Sequence, residues 1–139
     1  MKVVLETNVL VPALIKTRKP RELLLKIAEK RRKAQLILSR GILEEFLEVV
    51  NEEKVRRYVD EEDIVAFLRA VGSITKIVRV RSKFKVVKED PEDDVILRTA
   101  YDSNANYIVS GDKHLLSLGE FRGTKIVTVN DMLMIVKSG

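Results

Sequence analysis

Acids recur where strands end. Glu6 directly follows the β-branched run Val3, Val4, Leu5, and Asp112 follows Tyr107, Ile108 and Val109 after only Ser110 and Gly111. In open α/β sheets ligands bind outside the carboxyl ends of the strands, so both positions are placed for chemistry. Taken singly, each acid also reads as a helix cap or a turn residue. A third candidate lies in EDPEDD, where five of six positions are acidic. Asp90 suits the N-cap before Pro91, and Glu92 and Asp93 complement the positive end of a helix. Asp93 also precedes Ile96 by three and Leu97 by four, which sets it above the buried stripe, whereas Asp94 is turned further towards solvent. The fourth is Glu45, three after Ile42 and four before Val49, at the border of an apolar helix face with Glu44 and Glu48 further round. An acid at such a border is also an ordinary surface residue.

Together these acids point to a cation. Carboxylates gathered at one end of a sheet cannot all stay ionised unaided, and hard oxygen ligands with room for water are what Mg²⁺ or Mn²⁺ prefers. Such a pocket holds one or two metals, and two metals ~3.5–4 Å apart stabilise the attacking and leaving oxygens of phosphoryl transfer.

The elements that must position these residues are legible in outline. Strand-like apolar runs at 3–5, 36–38, 77–80, 107–109 and 126–129 alternate with stretches of helical spacing, which predicts an α/β domain with a central, mostly parallel sheet flanked by helices. Pro20 suits the first turn of a helix with Leu23, Leu24 and Ile27 facing inward, ahead of the cations Lys30, Arg31, Arg32 and Lys33. A second helix presents Ile42, Phe46, Val49 and Val50. Asp60 caps a third, with Ile64, Phe67, Leu68 and Val71 in one stripe that serves either the core or an interface. The helix after Pro91 buries Ile96, Leu97, Ala100 and Tyr101. A last short helix starts at Asn130. Around Ser82 and Lys83, the stretch 76–88 fits either a broken hairpin or a loop.

The chain has 139 residues, 45% hydrophobic and 34% charged, and no apolar run approaches the ~20 residues of a membrane span. These values predict one soluble domain over 1–139. Absence of Cys, and of a basic segment leading into an apolar signal core, predicts a cytoplasmic protein. The excess of 26 Lys+Arg over 21 Asp+Glu permits a polyanionic partner and equally fits a solvated, charge-rich surface. Abundant Lys and Glu with a single Gln match a heat-adapted source in composition. Lys16, Arg18 and Lys19, and Arg79, Arg81 and Lys83 within the basic stretch 79–88, are candidate contacts for the phosphates of a polyanion, with a solvated face as the alternative for each stretch.

In the order VVLETNVL, ILEEFLEVV, DPEDDVILRTA and NYIVSGDKHLL, the chain resembles the PIN domain family, in particular its toxin branch, akin to VapC ribonucleases. The resemblance covers nearly the whole chain and is most specific in DPEDDVILRTAYDSNANYIVSGDKHLL. It implies a parallel sheet flanked by helices, dimerisation, an antitoxin partner, and Mg²⁺- or Mn²⁺-dependent endonuclease action on RNA. The family's acidic quartet falls on Glu6, Glu45, Asp93 and Asp112. Asn8 and Ser110 match polar positions beside it, with Thr7 a further contact and Asp90 and Asp94 as nearby acids. In the implied metal-assisted hydrolysis, Glu6 and Asp93 are central ligands and Asp112 holds a metal directly or through water. Glu45 orients a water or completes the shell.

One departure bears on activity. The family normally carries Asp at the first acidic position, and Glu6 moves the carboxylate outward by up to ~1.5 Å. A misplacement of that size costs ~10²-fold in a catalytic geometry. The alternative expectation is therefore a catalytically silent PIN-fold module that binds RNA or a protein. His114 replaces the usual acid at its position and reads as surface. A receiver-like or phosphatase-like domain fits poorly, because the first strand lacks a DxD pattern.

Overall fold

A computed structural model of the chain describes residues 1–15, 18–86 and 91–138, apart from the side chains of Pro91 and Glu92. From β1 (Lys2–Leu5) the chain passes through α1 (Thr7–Leu14) and α2 (Arg18–Glu29) to β2 (Gln35–Ser39). Three helices, α3 (Arg40–Val50), α4 (Glu53–Arg56) and α5 (Glu61–Ile74), precede β3 (Thr75–Val78). Beyond 79–86, α6 (Pro91–Ser103) leads to β4 (Tyr107–Val109), followed by α7 (Lys113–Leu118), β5 (Glu120–Phe121), β6 (Thr124–Val127) and α8 (Val129–Ser138).

Among the described residues the strands form one sheet in the order β3-β2-β1-β4-β6-β5, parallel except for the β5–β6 pair. Val3 to Leu5, Leu36 to Leu38, and Ile108 with Val109 are all buried. A parallel sheet covered on both faces explains why these strands read as continuous apolar runs with no polar alternation. No helix among the described residues is long and apolar enough to cross a membrane.

Local sequence sets the helix ends. Asp60 caps α5 by accepting from the Asp63 N–H at 2.9 Å, and Asp63 accepts in return from the Asp60 N–H at 3.0 Å, a capping box built from two aspartates. The chain leaves α6 through Asn104 in the left-handed region, φ 56°, and Ala105 N–H reaches back to the Ala100 carbonyl at 2.9 Å. α6 lies against β1, β2, β3 and β4. A buried 2.8 Å hydrogen bond between the Ser39 and Thr99 hydroxyls fixes it to the end of β2. On α3, Ile42, Phe46 and Val50 are buried, and Phe46 stacks on Phe67 of α5 with ring centroids 5.7 Å apart.

The structure corrects several boundaries. β3 occupies Thr75–Val78 where a strand at 77–80 was expected, because α5 runs straight into an extended Thr75. β6 begins at Thr124 and α8 at Val129, each ahead of the expected start. Tyr101, expected in the buried stripe of α6, is 45% exposed and forms an edge contact with Phe84. The two-residue strand β5 was not expected; it closes onto β6 through Arg122 and Gly123, both at positive φ, 46° and 91°. That pairing of conformations is the tight hairpin turn whose twist matches antiparallel strands.

Candidate functional site

β1 sits between β2 and β4, and the chain builds outward from this pair in opposite directions, through β2 to β3 and through β4 to β6. The crevice beyond the carboxyl ends of β1 and β4 is therefore the switch point of the sheet. In that register Leu5 pairs with Val109, so Glu6 and Ser110 emerge side by side. Glu6 N–H continues the ladder to the Val109 carbonyl at 3.1 Å.

Glu6 stands at the N-cap position of α1, yet its side chain makes no capping hydrogen bond. It turns instead to Ser110, whose hydroxyl donates to Oε2 at 2.9 Å, with Oε1 at 3.3 Å. The same hydroxyl oxygen accepts from Asp112 N–H at 2.9 Å. Asp112 caps α7 by accepting from His114 N–H at 2.8 Å, so the capping role foreseen for a lone acid is real there. Asn8 Oδ1 accepts from Gly111 N–H at 3.3 Å and ties the start of α1 to the β4–α7 turn.

Asp93 completes the group from the first turns of α6. It is 3% exposed, and carboxylate oxygens of Glu6, Asp93 and Asp112 lie within 4.8 Å of one another. Glu45, half-buried on α3, falls outside that set among the described residues, although its charge still acts on Glu6. Four residues before it is Gly41, where a Cβ would come within 2.7 Å of Val95 Cγ1 on α6. A larger residue there would push apart the helix turns that carry Glu45 and Asp93, since positions i and i+4 share a helix face.

The environment sets the charge of Glu6. Burial pushes its carboxyl up, the Ser110 hydrogen bond pulls it down, and the charges of Asp93, Asp112 and Glu45 push it up again, to about 8. At neutral pH and without a cation the group keeps its proton. A small, hard divalent ion fits this donor set, because carboxylate oxygens are its preferred ligands and its charge offsets both the burial and the neighbouring acids that hold Glu6 neutral.

A family model described as a PIN domain matches residues 2–114. The chain belongs to the PIN domain family. No curated protein matches its sequence. Among solved structures, the chain is similar to one from the crystal structure of VapBC2 from Rickettsia felis bound to a DNA fragment from their promoter. The two share 16% identity and a TM-score of 0.62, over 92% of this chain and 98% of the other, a likeness of fold.

The other residues singled out in the sequence are spread more widely. Lys19 lines an open cavity of about 360 Å³ with Asn8, Ser110, Gly111, Thr128 and Asn130; the cavity shares Ser110, the partner of Glu6, with the acid cluster. Thr7 is buried at the start of α1. Arg18, Arg79, Arg81, Lys83 and His114 are exposed, the three from 79–86 outside the cavity lining. Lys16 and Asp90 lie outside the described residues. Asp94 is a correction: expected to face solvent, it is 3% exposed and accepts from Val86 N–H at 2.8 Å, because residues 79–86 cross that face of α6. Thr128 and Asn130 were not foreseen at the cavity: the expected strand 126–129 took in Thr128 and Asn130 read as a helix start, whereas β6 ends at Val127 and both residues follow it.

Proposed function

We propose that this PIN domain is an endoribonuclease that cleaves RNA phosphodiester bonds with Mg²⁺ or Mn²⁺ held by Glu6, Asp93 and Asp112, and that it is the toxin of a toxin-antitoxin pair acting in the cytoplasm. One observation carries the reading: three carboxylates from distant parts of the chain converge within 4.8 Å at the switch point of the sheet. Family membership and the fold likeness to a chain of a VapBC2 complex support it.

The chain's own groups divide the work. Asp93 and Asp112 offer carboxylate oxygens as ligands, and Glu6 joins them once its proton is displaced. Ser110 holds the Glu6 carboxylate in place, and Asn8 fixes the turn that carries Asp112. Lys19, at the cavity, takes a backbone phosphate, and Glu45, whose charge acts on Glu6, orients a water. A bound divalent ion supplies charge that stabilises the developing oxyanion of phosphoryl transfer. For the antitoxin, and for a second copy in a homodimer, exposed apolar residues such as Leu25 and Tyr58 offer contact area.

The test is single-turnover cleavage of an end-labelled single-stranded RNA. We expect cleavage with Mn²⁺, none with EDTA, and a loss of at least ~10²-fold in Asp93→Asn. RNA binding that is indifferent to metal and to Asp93→Asn, with no cleavage, would leave the silent binding module as the correct reading; the longer side chain of Glu6 is the feature that favours it.

A further inference from the structure

Residues 79–86 form an extended strap along α6. Their exposure alternates with a period of two: Arg79, Arg81, Lys83 and Lys85 are exposed, while Val80, Ser82 and Phe84 between them are half-buried. Such alternation is the mark of extended chain, with successive side chains on opposite sides. It sets one cation about every 6.4–6.8 Å along the outer edge.

The strap is anchored at intervals along the helix. Asp102 accepts from Arg81 N–H at 2.6 Å and from Ser82 N–H at 2.9 Å. Arg98 donates through Nε at 2.8 Å and Nη2 at 2.6 Å to the Phe84 carbonyl. Val86 N–H reaches Asp94 at 2.8 Å. The Phe84 ring is held between Tyr101 and Phe121, centroids 5.7 and 5.3 Å away, with the Arg122 guanidinium 4.5 Å from its centre. These contacts consume main-chain groups and the inward side chains. The outward cations stay largely unspent: among the described residues Arg79, Lys83 and Lys85 form no salt bridge, and only Arg81 shares its charge with Asp102.

The strap also has a direction. It runs from Asp102 at the C-terminal end of α6 to Asp94 near the N-terminal end, next in the chain to Asp93 of the acid cluster.

We infer that the outer edge of residues 79–86 is a track for the backbone of single-stranded RNA, in which Arg79, Arg81, Lys83 and Lys85 hold successive phosphates and lead the strand towards the acid cluster. The inference rests on the ribonuclease reading for its direction, but not for its binding test. A regular row of point charges with no exposed apolar anchor between them suits a polyphosphate backbone better than a folded protein surface, which would bring apolar contacts of its own.

The experiment is fluorescence anisotropy with a labelled oligouridylate of about twelve nucleotides in EDTA, between about 50 and 200 mM salt. We expect the triple variant Arg79→Gln/Lys83→Gln/Lys85→Gln to bind roughly a hundred-fold more weakly near 0.1 M salt, with a log–log salt slope shallower by about 2, from ~0.7 per lost contact on a single strand. The control Arg31→Gln/Arg32→Gln/Lys33→Gln removes the same charge from the exposed turn before β2, at the amino end of the sheet, and should bind like the parent. Equal losses in the two variants would reduce the track to net charge and overturn it. So would an unchanged salt slope, no binding by the parent, or tighter binding of an oligoglutamate peptide than of the RNA. Strap-dependent binding without cleavage in Mn²⁺ would overturn the ribonuclease reading and leave the track standing.

Discussion

Because Glu6 is buried among other acids, the cation-free protein should become less stable as the pH rises through neutrality. In the unfolded chain the carboxyl ionises near 4.5, and in the folded protein near 8. Below pH 4.5 both states hold the proton and Glu6 costs nothing. Between the two values the unfolded state releases it while the folded state retains it, so unfolding becomes more favourable by about 1.4 kcal/mol per pH unit. Above pH 8 the penalty is complete, at roughly 3–5 kcal/mol, a large share of a domain's net stability. Urea unfolding in EDTA at intervals from pH 5 to 8.5 would read this slope. Two perturbations should abolish it: Glu6→Gln, which has no proton to lose, and Mn²⁺, which binds the carboxylates and replaces the proton. The variant should then be the more stable protein at pH 8 without metal. A parent whose stability rises over this window, or a Glu6→Gln variant with the parent's slope, would refute the reasoning.

Two further substitutions bear on the same carboxylate. Shortening the side chain with Glu6→Asp should raise Mn²⁺-dependent cleavage of single-stranded RNA, by up to ~10²-fold if the extra methylene misplaces the ligand by its full length; equal or lower turnover would show that Glu6 is no handicap. Ser110→Ala removes the hydroxyl that favours the ionised form of Glu6 and holds its orientation. It should weaken Mn²⁺ binding by ~10–100-fold in calorimetric titration, as loss of an outer-shell partner does, and an unchanged affinity would mean the hydrogen bond does not prepare the ligand.

What could be read in advance follows the range of the forces involved. The parallel sheet was legible because strands covered on both faces leave continuous apolar runs, and β1, β2 and β4 do so. The places of Glu6 and Asp112 were legible because strand ends are local features. Asp94 was misjudged because helix spacing shows which side of α6 it occupies, but not that residues 79–86 arrive to cover that side. Tyr101 was misjudged in the opposite sense: its apolar ring suits a core stripe, and only the packing of Phe84 and Arg122 shows that it sits at the surface edge. The β5–β6 hairpin escaped because a two-residue strand has no periodicity, and Arg122 at positive φ lacks the Asn or Asp signal such turns usually give. Gly41 carries no local signal at all, because only the approach of Val95 from α6 leaves a Cβ no room there.

The wide separation of Glu6, Asp93 and Asp112 along the chain has a consequence in time. The link between Glu6 and Ser110 spans 104 positions, and β4, which carries Ser110 at its end, pairs with β1 from the far end of that span. A polypeptide still emerging from the ribosome therefore carries no assembled cluster until Asp112 has been made, and a product cut short before that residue never acquires one. On the proposed ribonuclease reading, the three carboxylates that would hold the metal are thus never together on a nascent chain that stops short of Asp112.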